Sequence, residues 1–267
     1  MALPLPTSLS PSKVASFKDC ALAFRFSAID RLPEPPSPAA TKGTLVHRAL
    51  ELLFCEPAPA RNLAVALACL DRARAEMASD AEYVGLDLDA EAAAEFAADA
   101  EVLVRRYFQL EDPTTVHPIG LELRLEVTVG SLTLRGIIDR LELDEDGGLV
   151  VTDYKSGKVP GVTHEQSRLG GVHFYAFLCE RVLGRRPSRI QLLYLSEPVA
   201  IVAEPSDQSI RGLEQRTGAI WKAVERACAN EDFRPRPSKL CDWCSFQEYC
   251  PAFGGDPARA RQLVAAP

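Results

Sequence analysis

The sequence predicts an α/β fold, a small mixed β-sheet flanked by helices, with a helical insert and a C-terminal cysteine-rich tail. Three observations carry this. Apolar residues recur at helical spacing through the first hundred or so residues. From Leu121 the pattern switches to strict alternation, broken by turn residues at Gly130-Ser131 and Glu145-Asp146-Gly147-Gly148. The last part of the chain carries Cys241-x2-Cys244-x5-Cys250.

In order, Ser10 to about Arg31 reads as a helix, capped by Ser10 or Ser12, with Val14, Phe17, Ala21 and Phe24 on one face. Pro33 to Pro38 is a break. Lys42 to Phe54 is a second helix. Asn62 to Met77 and Asp89 to Leu110 are alanine-rich helical stretches, read as an insert over 56–118. Leu121–Val129 and Leu132–Leu143 form a hairpin, and Leu149–Tyr154 is a third strand. Gln166–Leu183 is a helix, Arg189–Leu195 and Val199–Ala203 a strand pair, and Ser206–Ala229 a long helix ahead of the cysteine-rich segment, 234–254. Helix, sheet, helix, strand order builds one layered core, read as a single domain over 1–267.

Composition narrows the setting. With 267 residues, 47% of them hydrophobic, the chain has ample material for a core. No run of 18 apolar residues occurs, so no membrane span is expected, and the opening MALPLPTSLSPSK lacks the pattern of a signal peptide. A cytoplasmic location is the expectation, and there eight cysteines read as thiols or metal ligands rather than disulfides. The net charge of −7 excludes a uniformly basic surface but not a local basic groove. Acids crowd Asp80–Asp112. The cations suited to a polyanion are Lys158, Arg168, Arg185, Arg186, Arg189, Arg234, Arg236 and Lys239.

Chemistry concentrates on the third strand. Asp153 and Lys155 lie two apart, so both side chains leave one face of the strand. An antiparallel neighbour places Asp139 beside Asp153. Two such carboxylates repel unless a divalent cation neutralises them, and oxygen ligands suit Mg²⁺ or Mn²⁺. A cation there would polarise a scissile phosphate and acidify a bound water, with Lys155 stabilising developing charge. His47 offers a nitrogen ligand. Gly43, one turn earlier, permits close approach to the sheet, and Glu51, one turn later, is placed to orient the imidazole.

Cys241 and Cys244 point two sulfurs at one centre. Cys250 closes a third corner, and Cys20, more than two hundred residues upstream, completes a set of four. Spacing alone leaves Zn²⁺ and an iron–sulfur cluster both open. Cys55, Cys69, Cys179 and Cys228 read as buried, inert thiols, and His117 and His164 as surface residues.

Gly43-x3-His47, Gly136-Ile137-Ile138-Asp139-Arg140 and Asp153-Tyr154-Lys155-Ser156-Gly157 resemble the motifs of RecB-type nucleases of the PD-(D/E)XK superfamily. The resemblance runs from about Ser10 to Gly254 and is weakest over the insert, about Glu56 to Pro118. It implies a PD-(D/E)XK core in which His47, Asp139 and Asp153 bind the catalytic ion with the Tyr154 carbonyl, and Lys155 is catalytic. Glu122 or Glu126 matches an accessory acid. The family's next helix usually carries Gln-x3-Tyr. Tyr175 fits, but Gly171 stands where the glutamine would, with His173 or Gln166 as substitutes. A subset of these nucleases has one cysteine before the nuclease motifs and three after, as here, and binds a 4Fe–4S cluster. That favours iron–sulfur over zinc and implies a staple joining the first helix to the tail.

The implied function is a metal-dependent DNA exonuclease in end processing, repair or recombination. A catalytically inactive DNA- or partner-binding module of the same fold is the alternative, kept open by Gly171. No Walker-type loop is present, so any helicase or repair-complex motor would be a separate partner.

Overall fold

Described for residues 2–159 and 161–264, without the side chains of 162–170 and 261–264, the computed structural model divides into two compact units. The first comprises Met1–Pro35, Glu126–Gly136 and Arg211–Pro267; the second comprises Pro36–Leu125 and Ile137–Ile210.

Helix α1, Pro11–Asp19, starts on Ser10, whose hydroxyl accepts from the Lys13 amide. The helix expected to continue to about Arg31 stops at Cys20. There the backbone is extended, with φ −156° and ψ 109°. A short α2, Ala21–Phe24, and a π-helical turn, Arg25–Ile29, follow. The break has a physical cause: Cys20 steps out of the helix and lines a cavity, while buried Phe24 and Phe26 and the buried Arg25–Asp30 ion pair anchor the turns after it.

In the second unit α3, Pro38–Cys55, begins with proline in its first turn and Ser37 as cap. Helices α4, Leu63–Met77, α5, Ala81–Val84, and α6, Ala90–Tyr107, follow, capped by Asn62, Asp80 and Asp89. These three helices fall within residues 56–118. Helices α3, α4 and α6 share one apolar cluster that includes Leu50, Leu53, Phe54, Leu70, Val104 and Tyr107.

The sheet contains β1, Pro118–Val129, β2, Leu132–Leu143, β3, Leu149–Lys155, β4, Pro187–Tyr194, and β5, Val199–Ala203, in the spatial order β1-β2-β3-β4-β5. Gly130 turns the β1–β2 hairpin with φ +63°, a left-handed conformation that glycine adopts without a Cβ clash. Strands β2 and β3 pair antiparallel, β3 and β4 parallel, β4 and β5 antiparallel. The parallel pair requires a crossover, which is α7, Val162–Leu183. Helix α8, Asp207–Asn230, leads to short turns at Lys239–Trp243, Gln247–Tyr249 and Pro251–Phe253, then α9, Pro257–Val264. Among the described residues no helix is long and apolar enough to cross a membrane.

Arg140 is among the largest fully buried side chains of the described residues. It pairs with Glu111 and Glu142, donates to the Tyr154 hydroxyl at 3.0 Å and to Thr152 Oγ1 at 3.1 Å, and lies 4.6 Å from the centre of the Phe54 ring. Tyr107 also donates to Glu111. Truncating one member of such a network leaves the others charged and dry, at a cost of about 3–5 kcal/mol. Arg140→Ala is expected to lower unfolding free energy by about that amount in urea titrations; a loss below about 1 kcal/mol would show that the network contributes little.

Candidate active site

The β2–β3 register pairs Arg140 with Thr152, so Asp139 and Asp153 take the next opposed positions on neighbouring strands. Alternation along β3 then separates two jobs. The Tyr154 side chain belongs to the apolar cluster with α3, α4 and α6, while Asp153 Oδ1 accepts from the hydroxyl of Tyr175, on α7, at 3.3 Å. Lys155 forms an ion pair with Asp153 Oδ2.

His47, on α3, completes the cluster. Its Nδ1 is 3.5 Å from Asp139 Oδ2, and its Nε2 is 3.1 Å from the Tyr154 carbonyl oxygen. Asp139 Oδ2 also accepts from the Tyr154 amide at 2.7 Å. A Cβ at Gly43 would lie 2.9 Å from Ser156 Oγ, so the bare glycine is what admits α3 to the end of β3.

Glu122 joins from β1. Its φ of +46° is left-handed, an uncommon state for a non-glycine residue inside a strand and a kink of the kind that re-aims a side chain. One ligand atom each from His47, Glu122 and Asp139 lies within 4.8 Å of the other two. Neighbouring ligands of an octahedral ion at about 2.1 Å would stand about 3 Å apart. The 3.1 Å from His47 Nε2 to the Tyr154 carbonyl oxygen matches that spacing.

The electrostatics point the same way. Burial holds the Asp153 carboxyl above the usual aspartate range; the Lys155 ammonium pulls it back and the Asp139 charge pushes it further up. Burial and the Asp139 charge raise Glu122 to about 6. For His47, burial favours the neutral ring, but Asp139, Asp153 and Glu122 together outweigh it and the pKa rises. Burial and the Asp153 charge raise the Tyr175 hydroxyl, which stays protonated and donates. Each group asks for more positive charge than the protein supplies. A divalent cation bound by the acids and the imidazole would meet that demand.

Two expectations, on Glu51 and Cys55, are corrected, and one open choice between acids is narrowed. Glu51 does not orient His47: it pairs with Arg48 at 2.7 Å, a nearer cation one turn back on the same helix. Of the two candidate accessory acids, Glu126 is ion-paired with Arg135 across the hairpin, and only Glu122 joins His47 and Asp139. Cys55 is exposed at the end of α3, whereas Cys69, Cys179 and Cys228 are buried as expected. The side chains of His164, Gln166 and Arg168 lie outside the described residues, and His117 is exposed. Among the proposed groove cations, Arg186 is engaged by Glu180 and Asp207, Arg234 by Asp232, and Arg185 by the Gly147 carbonyl. Lys158 and Arg189 are exposed.

The four cysteines singled out by spacing all line one cavity of about 480 Å³ in the first unit. Cys20 enters from the helix break, and Cys241, Cys244 and Cys250 from the tail turns. Burial pushes the Cys244 thiol up, and negative charge on Cys20, Cys241 and Cys250 pushes it further.

The Arg140 network was not foreseen as a support of the site. It holds the side chain of Tyr154, the residue whose backbone touches both His47 and Asp139. Arg140 stands in the motif itself, but Glu111 is 29 residues away and carries no local signal.

The chain belongs to the PD-(D/E)XK nuclease superfamily, whose family model matches residues 8–251. Members of that superfamily use divalent metals. A similar solved structure is that of a putative exonuclease from Eubacterium rectale, with a TM-score of 0.56 and 12% identity over 89% of this chain and 87% of that one. At that identity the likeness speaks for the fold. Another, SSO0001, has a TM-score of 0.38 and 14% identity over 79% of this chain and 84% of that one. No curated protein matches in a sequence search.

The raised carboxyl fixes a sign for pH dependence. Between the ordinary glutamate value of 4.5 and about 6, the metal-free folded protein holds more proton at Glu122 than the unfolded chain does. Stability contributed there is present below that window and is lost as pH rises through it. Melting curves in EDTA should show Glu122→Gln gaining on the wild type as pH rises from 4.5 to 6. Added Mn²⁺ should stabilise the wild type increasingly over the same range, because it competes with the proton. A wild type minus variant difference that is flat with pH would contradict the placement of Glu122.

Proposed function

We propose that this chain is a metal-dependent DNA nuclease, acting as an exonuclease in DNA end processing, repair or recombination, and that a 4Fe–4S cluster staples its cysteine-rich tail. The observation that carries the nuclease reading is the convergence of His47, Glu122 and Asp139 beside Asp153 and Lys155, inside a matched nuclease family.

In this reading His47, Asp139, Asp153 and the Tyr154 carbonyl hold Mg²⁺ or Mn²⁺, with Glu122 as accessory acid. When bound, the ion supplies Lewis-acid stabilisation of the phosphate and a more acidic water. The protein supplies the rest. Lys155, ion-paired with Asp153, would place an ammonium where charge grows on the phosphoryl oxygens. Tyr175 holds Asp153 in one orientation. The Eubacterium rectale protein, named a putative exonuclease, is the model for end-directed action here.

The cysteine cavity favours a polynuclear cluster over zinc. A single tetrahedral zinc, with bonds of about 2.3 Å, needs its sulfurs about 3.8 Å apart. Among the described residues, no three cysteine sulfurs fall within 4.8 Å of one another, yet all four line one chamber of about 480 Å³. That chamber suits a larger core. A helicase or repair complex remains the natural source of any motor.

Gly171 supports one other reading, a binding module of the same fold that no longer cleaves. An anaerobic assay on end-labelled linear and on circular single-stranded DNA, with Mg²⁺, Mn²⁺ or EDTA, separates the readings. The nuclease reading predicts metal-dependent loss of linear DNA only, with Asp153→Ala at least about 100-fold slower. Cutting of circles would make the enzyme an endonuclease, and no cleavage by intact protein would favour the binding module. Metal analysis of the same anaerobic preparation should give about four irons per chain, lost in Cys20→Ser. Stoichiometric zinc without iron would contradict the cluster.

A further inference from the structure

The first unit presents an aromatic side chain that its own fold does not use. Trp243 is 87% exposed, whereas the protein's other tryptophan, Trp221, is 5% exposed and donates to Ser131 Oγ. Leu240 and Phe253, at 57% and 51% exposure, accompany Trp243 on the rim of the cysteine-lined cavity. A tryptophan carries a large apolar surface and is seldom left in water without a use.

This rim is built to hold its shape. Ser238 caps the turn Lys239–Trp243, its hydroxyl accepting from the Leu240 amide at 3.2 Å. The Cys244 amide donates to the Cys241 carbonyl at 3.1 Å, and the Gln247 side-chain amide donates to the same carbonyl. Pro235 and Pro237 stiffen the approach. Little conformational entropy would be lost when a ligand lands on such a turn.

The turn carries cations as well as acids. Arg234, Arg236 and Lys239 stand in the same segment as Asp232, Asp242 and Glu248. Arg234 is engaged by Asp232. Arg236 donates to the Lys18 carbonyl, a neutral partner that leaves its charge available, and Lys239 is exposed. A protruding indole beside two cations matches a strand with a π-face on each unit and a phosphate between units. Duplex DNA hides its base faces; single-stranded DNA offers them.

We propose that Trp243, with Lys239 and Arg236 beside it, is a stacking platform for single-stranded DNA on the cysteine-rich tail. This rests on the nuclease reading above for the identity of the strand, but the platform is a binding site separate in function from the metal-binding residues. A base stacks on the Trp243 indole while its flanking phosphates face Lys239 and Arg236. Stacking of this kind is sequence-tolerant and should change affinity by about 5- to 150-fold.

The test is fluorescence anisotropy of a labelled oligothymidylate of roughly 20 nucleotides, in EDTA, with full-length protein whose iron content is measured in parallel. Trp243→Ala should weaken binding about tenfold or more, and Trp243→Phe should restore most of it. An abasic oligonucleotide of the same length should bind wild type and Trp243→Ala alike. Lys239→Ala should reduce the salt slope of binding by about 0.7. Equal affinity of wild type and Trp243→Ala for oligothymidylate would overturn the platform and leave the rim to a protein partner. A loss that accompanies loss of iron and is not restored by Trp243→Phe would also overturn it, assigning Trp243 to shielding the cavity. Wild-type cleavage of DNA with Mg²⁺ beside unchanged Trp243→Ala binding would sink the platform alone. Neither cleavage nor binding by the wild type would sink both readings.

Discussion

Asp139 and Asp153 are 8% and 3% exposed, on opposed positions of antiparallel strands, and both are acids. Bringing two carboxylates out of water side by side is unfavourable unless something positive joins them. The metal-free protein meets part of that demand with Lys155 and with the Tyr154 amide, and shares the rest with His47. Much of the surrounding architecture follows from holding these groups together. Helix α3 must come close enough for His47 to reach, hence the bare Gly43 against Ser156; β1 must kink at Glu122; and α7 must present Tyr175.

A second charged cluster lies beside the first, built around a buried cation. Arg140 follows Asp139 in sequence, so strand alternation sends its side chain to the other face. There Glu111, Glu142, Thr152 and the Tyr154 hydroxyl surround it. Tyr154 is the link between the two clusters. Its ring and hydroxyl are fixed by the core and by Arg140, while its amide and carbonyl meet Asp139 and His47. Rigid support of this kind is what a metal site needs, since ligand geometry must be set before the ion arrives.

Much of this was legible in the sequence because it is local. Strand alternation and the turns at Gly130 and Gly147 placed β2 and β3 and with them Asp139, Asp153 and Lys155. Helical spacing placed α4 and α6. What stayed hidden depends on distance or on single backbone states. Nothing in the periodicity of the first helix announces that Cys20 becomes extended, because the cavity it lines is shared with residues more than two hundred positions away. Glu122 and Glu126 share a face under strict alternation, and what separates them is that Arg135 holds Glu126 across the hairpin while Glu122, at a left-handed kink, joins His47 and Asp139. Glu51 lay on the expected side of α3, but Arg48 was the nearer partner. Glu111 supports the site from a loop of the insert, a region whose sequence carries no chemical signature.

The central claim is that the acid cluster is a divalent-cation site. The most direct test is to titrate Mn²⁺ into metal-free protein and follow the free ion by electron paramagnetic resonance, comparing wild type with Asp139→Asn. The account predicts one Mn²⁺ site per chain in the wild type and its loss in the variant. Equal Mn²⁺ binding by both proteins, or none by the wild type, would contradict it.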